Sequence, residues 1–247
     1  MSDVLYLGDT HLRGAAAYLA GLMHSWGWSF DYVPGETSAN ASLFENDRPL
    51  YVLSDYPAAH LTVDVQQRIV DDVSAGAGLL MIGGWDSFHG SGGNWDGTPV
   101  GEALPVAIAS ADDRVNCDHP LVVAKTAEHP AVDGLPWDER PPLIGGFNRV
   151  APRRGATLLL EARHFSAHRD GDEFSFEPAG SDPLLIVGER GRGKTAALAT
   201  DVAPHWVGPL VDWGDARVIT GAPEADEVEV GDLYAKFLRQ LLTWLRR

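Results

Sequence analysis

Ten residues constrain this chain more than any others: Leu79–Phe88, LLMIGGWDSF. The run Gly78–Ile82 is apolar throughout, as a strand covered on both faces must be, and such strands belong to parallel sheets flanked by helices. Gly83 and Gly84 then allow a tight turn at the strand's carboxyl end. A strand that passes through a glycine turn into a helix exposes one side chain at the apex. It also aims backbone N–H groups at whatever sits there. Here the apex falls near Trp85. An indole cannot attack a carbonyl, but it can wall a pocket. Downstream, Gly90-Ser91-Gly92-Gly93-Asn94 suits close approach of backbone to a ligand.

The surrounding segments read as alternating strands and helices. Val4–Leu7, Ser29–Val33 and Leu50–Ser54 are short apolar strands, and Ala15–Trp26 has helical spacing. Thr62–Ala75 is an amphipathic helix with Thr62 as N-cap and Gly76 past its end. This alternation predicts a doubly wound, mostly parallel α/β sheet. Ligands bind beyond the carboxyl ends of such strands. Gly8-Asp9-Thr10-His11, Ser54-Asp55-Tyr56 and Gly83–Phe88 each follow a strand and should share one rim. The second half is less regular. Val150–Leu160 and Pro183–Thr200 read as strands and hairpins, Ala162–Gly180 as a polar excursion, Gly221–Gly231 as an acidic loop and Leu233–Leu245 as a closing amphipathic helix.

At 247 residues without an evident linker, the chain reads as one domain spanning 1–247. No run of eighteen apolar residues predicts a membrane span. The net charge of −16 repels phosphate backbones and anionic membranes, so neither nucleic acid nor membrane is an expected partner. The lone cysteine, Cys117, excludes a disulfide framework and Cys-rich zinc sites. With no readable leader, the expected compartment is the cytoplasm.

Other motifs compete for chemistry. Thr200-Asp201-Val202-Ala203-Pro204-His205-Trp206 follows the apolar run Ala196–Ala199 and offers His205 as a base or ligand contact. Gly188–Thr195, GERGRGKT, matches the phosphate-binding loop pattern. That mechanism needs a helix opening at Lys194, but Thr195–Thr200 is soon broken by Pro204, so the segment reads as a β-hairpin turn. His164 and His168 could share a metal only on a helix, and their context reads as a loop. Cys117 lies in another loop-like run beside His119, with no elbow to present its thiol.

Together, Leu79–Phe88, Leu104-Pro105-Val106, Asp112-Asp113-Arg114-Val115, Gly145-Gly146-Phe147-Asn148, Asp182–Leu185, Gly188–Thr195 and Asp201 through Pro204-His205-Trp206 resemble a known family in order and spacing. It is the class I glutamine amidotransferase-like proteins described as cytoplasmic, distant relatives of the trehalose-utilisation family. The resemblance implies a flavodoxin-like sheet with a β-hairpin excursion in the second half. True class I amidotransferases carry G-x-C-x-G at the elbow; Trp85 stands in the cysteine's place here. Their His-x-Glu pair is not recognisable, because Trp206 and Val207 follow His205. Look-alike members read S-D-C-x-P-H-W, where this chain has Val202 for the cysteine. The resemblance therefore implies no glutaminase chemistry, and it marks Gly221–Gly231 as an insertion.

Two readings follow. In the first, the rim binds a small polar, sugar-like metabolite without catalysis, using Asp9, His11, Gly83, Gly84, Trp85, Ser87, Phe88, Asn148, Asp201, His205 and Trp206. In the second, the protein is a hydrolase with Ser87 as nucleophile, His205 as base and Asp201 as its orienter. Neither reading calls for a metal or cofactor. A third possibility is a homo-oligomer that assembles over the rim.

Overall fold

The computed structural model describes residues 2–246. Apolar runs set its centre. β1 (Val4–Gly8), β3 (Leu50–Ser54) and β4 (Gly78–Ile82) are buried along their whole length. With β2 (Phe30–Val33) and β11 (Gly193–Leu198) they form a parallel unit in the order β2-β1-β3-β4-β11. Buried apolar side chains on both faces explain the parallel pairing, because helices must then cover each face.

Those helices are the expected ones. α1 (Ala16–Ser25) links β1 to β2, and α2 (Val63–Ala75) links β3 to β4. The two crossovers run in opposite directions along the sheet, so right-handed connections place α1 and α2 on opposite faces. Thr62 caps α2 by accepting from the Val65 N–H at 3.3 Å, and Gly76 ends it at φ 127°.

The sheet does not end at β11. It continues through antiparallel neighbours β10 (Glu173–Arg190), β9 (Thr157–Asp170), β6 (Arg114–Lys125) and β7 (Leu143–Asn148), giving nine strands. Two short pairs lie outside it: β5 (Val106–Ala107) with β8 (Ala151–Pro152), and β12 (Arg217–Thr220) with β13 (Val228–Gly231). α3 (Pro99–Ala103) and α4 (Pro204–Val207) are single turns. α5 (Asp232–Leu245) closes the chain, burying Phe237, Leu238, Leu241, Leu242 and Leu245.

This is the doubly wound α/β sheet the sequence predicts, with corrections in its second half. Ala162–Gly180, read as a polar excursion, is the outer part of the β9–β10 ribbon, which turns at Gly171 with φ 61° and is the β-hairpin excursion that the resemblance implies. Polar residues suit that ribbon because most of it is exposed. Gly221–Gly231 is only partly a loop: Val228–Gly231 pairs with β12, burying Val228 and Val230. Cys117 belongs to strand β6, and His164 and His168 to strand β9, not to loops. His164 Nε2 meets Asp182 Oδ2 at 2.9 Å, and no metal-competent cluster of His, Cys, Asp or Glu exists among the described residues. Gly188–Thr195 is the β10–β11 hairpin turn, as expected. No helix among the described residues is long and apolar enough to cross a membrane.

Candidate functional site

The switch point of the sheet lies between β1 and β3, where successive connections leave in opposite directions. Asp9 follows β1 and Asp55 follows β3, each with left-handed backbone, φ 50° and 51°. Gly8 permits this crossing: a Cβ there would sit 1.6 Å from the Ser54 carbonyl oxygen. The elbow after β4 and Asp201 after β11 complete the rim.

Three carboxyl groups therefore converge in poorly hydrated surroundings. Asp9 is 2% exposed and Asp201 5%. Burial, then the negative charge of Asp201, pushes the Asp9 carboxyl well above the carboxylate range. The Tyr6 hydroxyl donates to Asp9 Oδ2. Burial likewise raises Asp201 to about 7, partly offset by the Ala203 and Val202 N–H groups, which donate to its Oδ1 at 3.0 and 2.6 Å. Asp55 is raised to about 6, again mainly by burial, while the Asp86 N–H donating at 2.5 Å holds it down.

The elbow itself is rebuilt. The chain leaves β4 through turns and bends up to Thr98, and no helix opens at the turn. Its N–H groups are already taken. Gly83 N–H donates to the carbonyls of Leu198 (2.7 Å) and Thr200 (3.1 Å), and Gly84 N–H to Asn148 Oδ1 at 2.9 Å. His89 and Gly90 donate to the two oxygens of Asp113, both at 3.0 Å. Backbone carbonyls and the side chains of Asn148 and Asp113 thus occupy these donors, which an oxyanion would need. A Cβ on Gly84 would lie 2.4 Å from Asp55 Oδ1, so only glycine fits.

Ser87 is the clearest departure from the hydrolase reading. Its hydroxyl is buried, donates to the Ile82 carbonyl at 2.5 Å and accepts the Asp55 N–H at 2.9 Å. No hydrogen bond joins it to His205, and none joins His205 to Asp201, among the described residues. The structure does not assemble the Ser87–His205–Asp201 relay. The reason is local: Ser87 lies past the apex, where its side chain turns back under the strand end.

The other expected residues divide into wall and scaffold. Trp85 is 45% exposed at the apex. The Arg114 guanidinium sits 4.7 Å from its ring centroid, and the exposed His205 ring 5.7 Å away. Trp206 stacks on His205 at 6.2 Å, is buried, and donates from Nε1 to Asn116 Oδ1 at 2.7 Å. His11 is exposed in the loop after β1. Phe88 and Asn148 are fully buried, so they support the rim and do not face a ligand. The expectation of Phe88 as a pocket wall is corrected by its inward, φ 51° geometry.

The sequence puts Asp55 on the rim within Ser54-Asp55-Tyr56 but gives it no role, and Asp113 and Arg114 enter only as markers of the family resemblance. The signal for Asp55 was present, because an aspartate closely follows β1, β3 and β11 alike. Asp113 and Arg114 reach the elbow from the start of β6, and the motif that marks them does not reveal their contacts with His89 and Trp85.

The comparisons with known proteins agree with this architecture. No curated protein matches the sequence. The cytoplasmic protein STM1381 of Salmonella typhimurium superposes with a TM-score of 0.73 at 24% identity, over 99% of both chains. STM3548 of the same species gives 0.71 at 24%, over 98% of both. A ThuA-like protein from Bacteroides uniformis gives 0.52 at 12%, over 98% of this chain and 90% of that one. These likenesses establish the fold. The family described as "putative glutamine amidotransferase" matches residues 50–219, from β3 through the elbow and Asp201 to β12. With more than half of its length inside that match, the chain belongs to the glutamine amidotransferase-like family.

Proposed function

We propose that this protein binds a small polar metabolite, sugar-like in character, at the carboxyl rim of its sheet, and that it does not hydrolyse glutamine. The observation that carries this reading is Trp85: a large aromatic, 45% exposed, at the elbow apex between Arg114 and His205. An indole face takes the C–H face of a sugar ring, while polar groups at its edge take hydroxyls. His205 and the part-exposed Asp55 supply such groups. Against thioester chemistry stands the indole at the apex. The one thiol, Cys117 on β6, is pushed up by burial and by Asp118 and Asp182, which disfavours the reactive thiolate.

The chain works in this reading as one domain in the cytoplasm. Two Salmonella proteins of the same fold are described as cytoplasmic, and a single cysteine suits a reducing compartment. Its net charge of −16 argues against nucleic acid or anionic membrane as partner.

A thermal-shift screen of sugars, sugar acids, amino acids and nucleotides on wild type and His205→Ala tests the proposal. A sugar-like compound should stabilise the wild type and lose that effect in the variant. Stabilisation unchanged in His205→Ala, or ammonia release from glutamine, would overturn it. Light scattering addresses the competing reading, in which a second copy covers Trp85.

A further inference from the structure

A separate cavity of about 470 Å³ opens at the other end of the sheet. Gly188, Arg190 and Thr195 of the β10–β11 hairpin line one side of it. Arg153 and Arg154 from the segment before β9 and Trp244 of α5 also line it. Thr195 and Asp201 are six residues apart along β11 and the turn after it. The cavity and the rim therefore stand roughly 20 Å apart at a strand's rise per residue.

Thr195 points to a ligand. The residue is fully buried and its hydroxyl has no hydrogen-bond partner. Buried hydroxyls are nearly always paired, because an unpaired one forfeits its hydration with nothing in return. Opposite it in the ladder stands Gly188. A Cβ there would lie 3.0 Å from Pro105 Cβ and 3.5 Å from Thr195 Oγ1, so a side chain at 188 would crowd Pro105 and add an apolar neighbour to a hydroxyl that is already sealed.

The charges point the same way. Arg153 is committed: it donates from Nε to the Val106 carbonyl at 2.9 Å and pairs with Glu102 at 3.0 Å. Arg154 and Arg190 make no side-chain hydrogen bond or ion pair among the described residues. Glu189 is the one remaining carboxylate of the lining. In a chain of net charge −16, two uncommitted guanidiniums at one cavity create a local attraction for anions. Guanidinium is also the side chain best shaped for the paired oxygens of phosphate or carboxylate.

We propose that this cavity binds a small metabolite bearing an oxyanion, with its phosphate or carboxylate held by Arg154 and Arg190. Thr195 pairs with a polar atom of the ligand, and the ligand body lies against Trp244. The site shares residues with the phosphate-loop pattern at Gly188–Thr195 but not its mechanism. Glu189 and Arg190 pair with Lys194 and Gly193 in the hairpin ladder, so guanidiniums and not a nest of backbone amides recognise the anion.

Calorimetric titration of the full chain with pyrophosphate and with citrate at low salt, against NaCl of matched ionic strength, is the test. At least one of the two should bind saturably at one site per chain, and which one tells phosphate from carboxylate. Arg154→Gln combined with Arg190→Gln should weaken it roughly tenfold or more, the scale of a lost charge-assisted hydrogen bond. Thr195→Val should weaken it too, while raising the melting temperature of the unliganded protein. Trp85→Ala at the rim should leave the affinity unchanged. Heats that match NaCl for both probes, or affinity retained in both cavity variants, would overturn the proposal.

Discussion

Gly84 and Asn148, 64 residues apart, hold each other by a reciprocal pair of hydrogen bonds: Gly84 N–H to Asn148 Oδ1 at 2.9 Å, and Asn148 Nδ2 to the Gly84 carbonyl at 3.1 Å. Asn148 also donates to Asp113 Oδ1 at 2.8 Å, and Asp113 in turn holds the N–H groups of His89 and Gly90. One amide thus ties the elbow after β4 to the antiparallel half of the sheet. Asn148→Ala would leave three buried polar groups short of a partner, a loss of about 2–4 kcal/mol. Urea denaturation reads it, and a loss below about 1 kcal/mol would show that the elbow is held by other means.

Asp201 gives the protein a pH dependence of unusual sign. Its carboxyl is raised to about 7 in the folded chain, against about 4 when unfolded. Below about pH 4 the group is protonated in both states and contributes no difference. As pH rises through the window from 4 to 7, the unfolded state loses its proton first, so stability falls. Asp201→Asn keeps the Oδ1 that accepts from Val202 and Ala203 and removes the titration. The variant should match wild type near about pH 4 and exceed it by roughly 2–4 kcal/mol near about pH 8. A stability difference that does not change with pH would contradict the assignment.

Ser87 is a structural hydroxyl in this account. Ser87→Ala should cost about 1–2 kcal/mol, because the Ile82 carbonyl and the Asp55 N–H both lose a buried partner. A fluorophosphonate probe should leave Ser87 unlabelled in intact-mass spectra. Stoichiometric labelling at that residue would reinstate the hydrolase reading.

Cys117 should behave as an unreactive thiol. Burial and the charges of Asp118 and Asp182 raise its pKa. Its reaction with a disulfide reagent near neutral pH should therefore be slower than that of free cysteine, and should accelerate only in alkaline solution. Faster reaction than free cysteine would identify an activated thiol that the geometry does not provide.

Much of the fold was legible because it rests on local patterns. Val4–Gly8, Leu50–Ser54 and Gly78–Ile82 are apolar without interruption, and Thr62 and Gly76 bracket α2. The inner ends of the β9–β10 ribbon were legible as strands, but its outer part was not, because those residues are exposed and carry no buried face to imprint a period of two. Within the site, position after a strand located Asp9, Asp55, Trp85 and Asp201. It could not separate the exposed Trp85 from the buried Phe88 three residues on. That difference depends on φ at Phe88 and on which way the turn folds under β4. Arg114 stands in a family marker, but its role was not legible for a further reason: its contact with Trp85 is made across the sheet, and a guanidinium over an indole leaves no spacing rule in the sequence.

The proposed rim site rests on Trp85, and calorimetric titration of the best sugar-like stabiliser into wild type and Trp85→Ala tests it most directly. The ring is 45% exposed, so its removal should cost little stability. Affinity should nevertheless fall roughly tenfold or more, as expected when an aromatic anchor of about 1.4 kcal/mol or more is removed. Equal affinity in the two proteins would contradict the account.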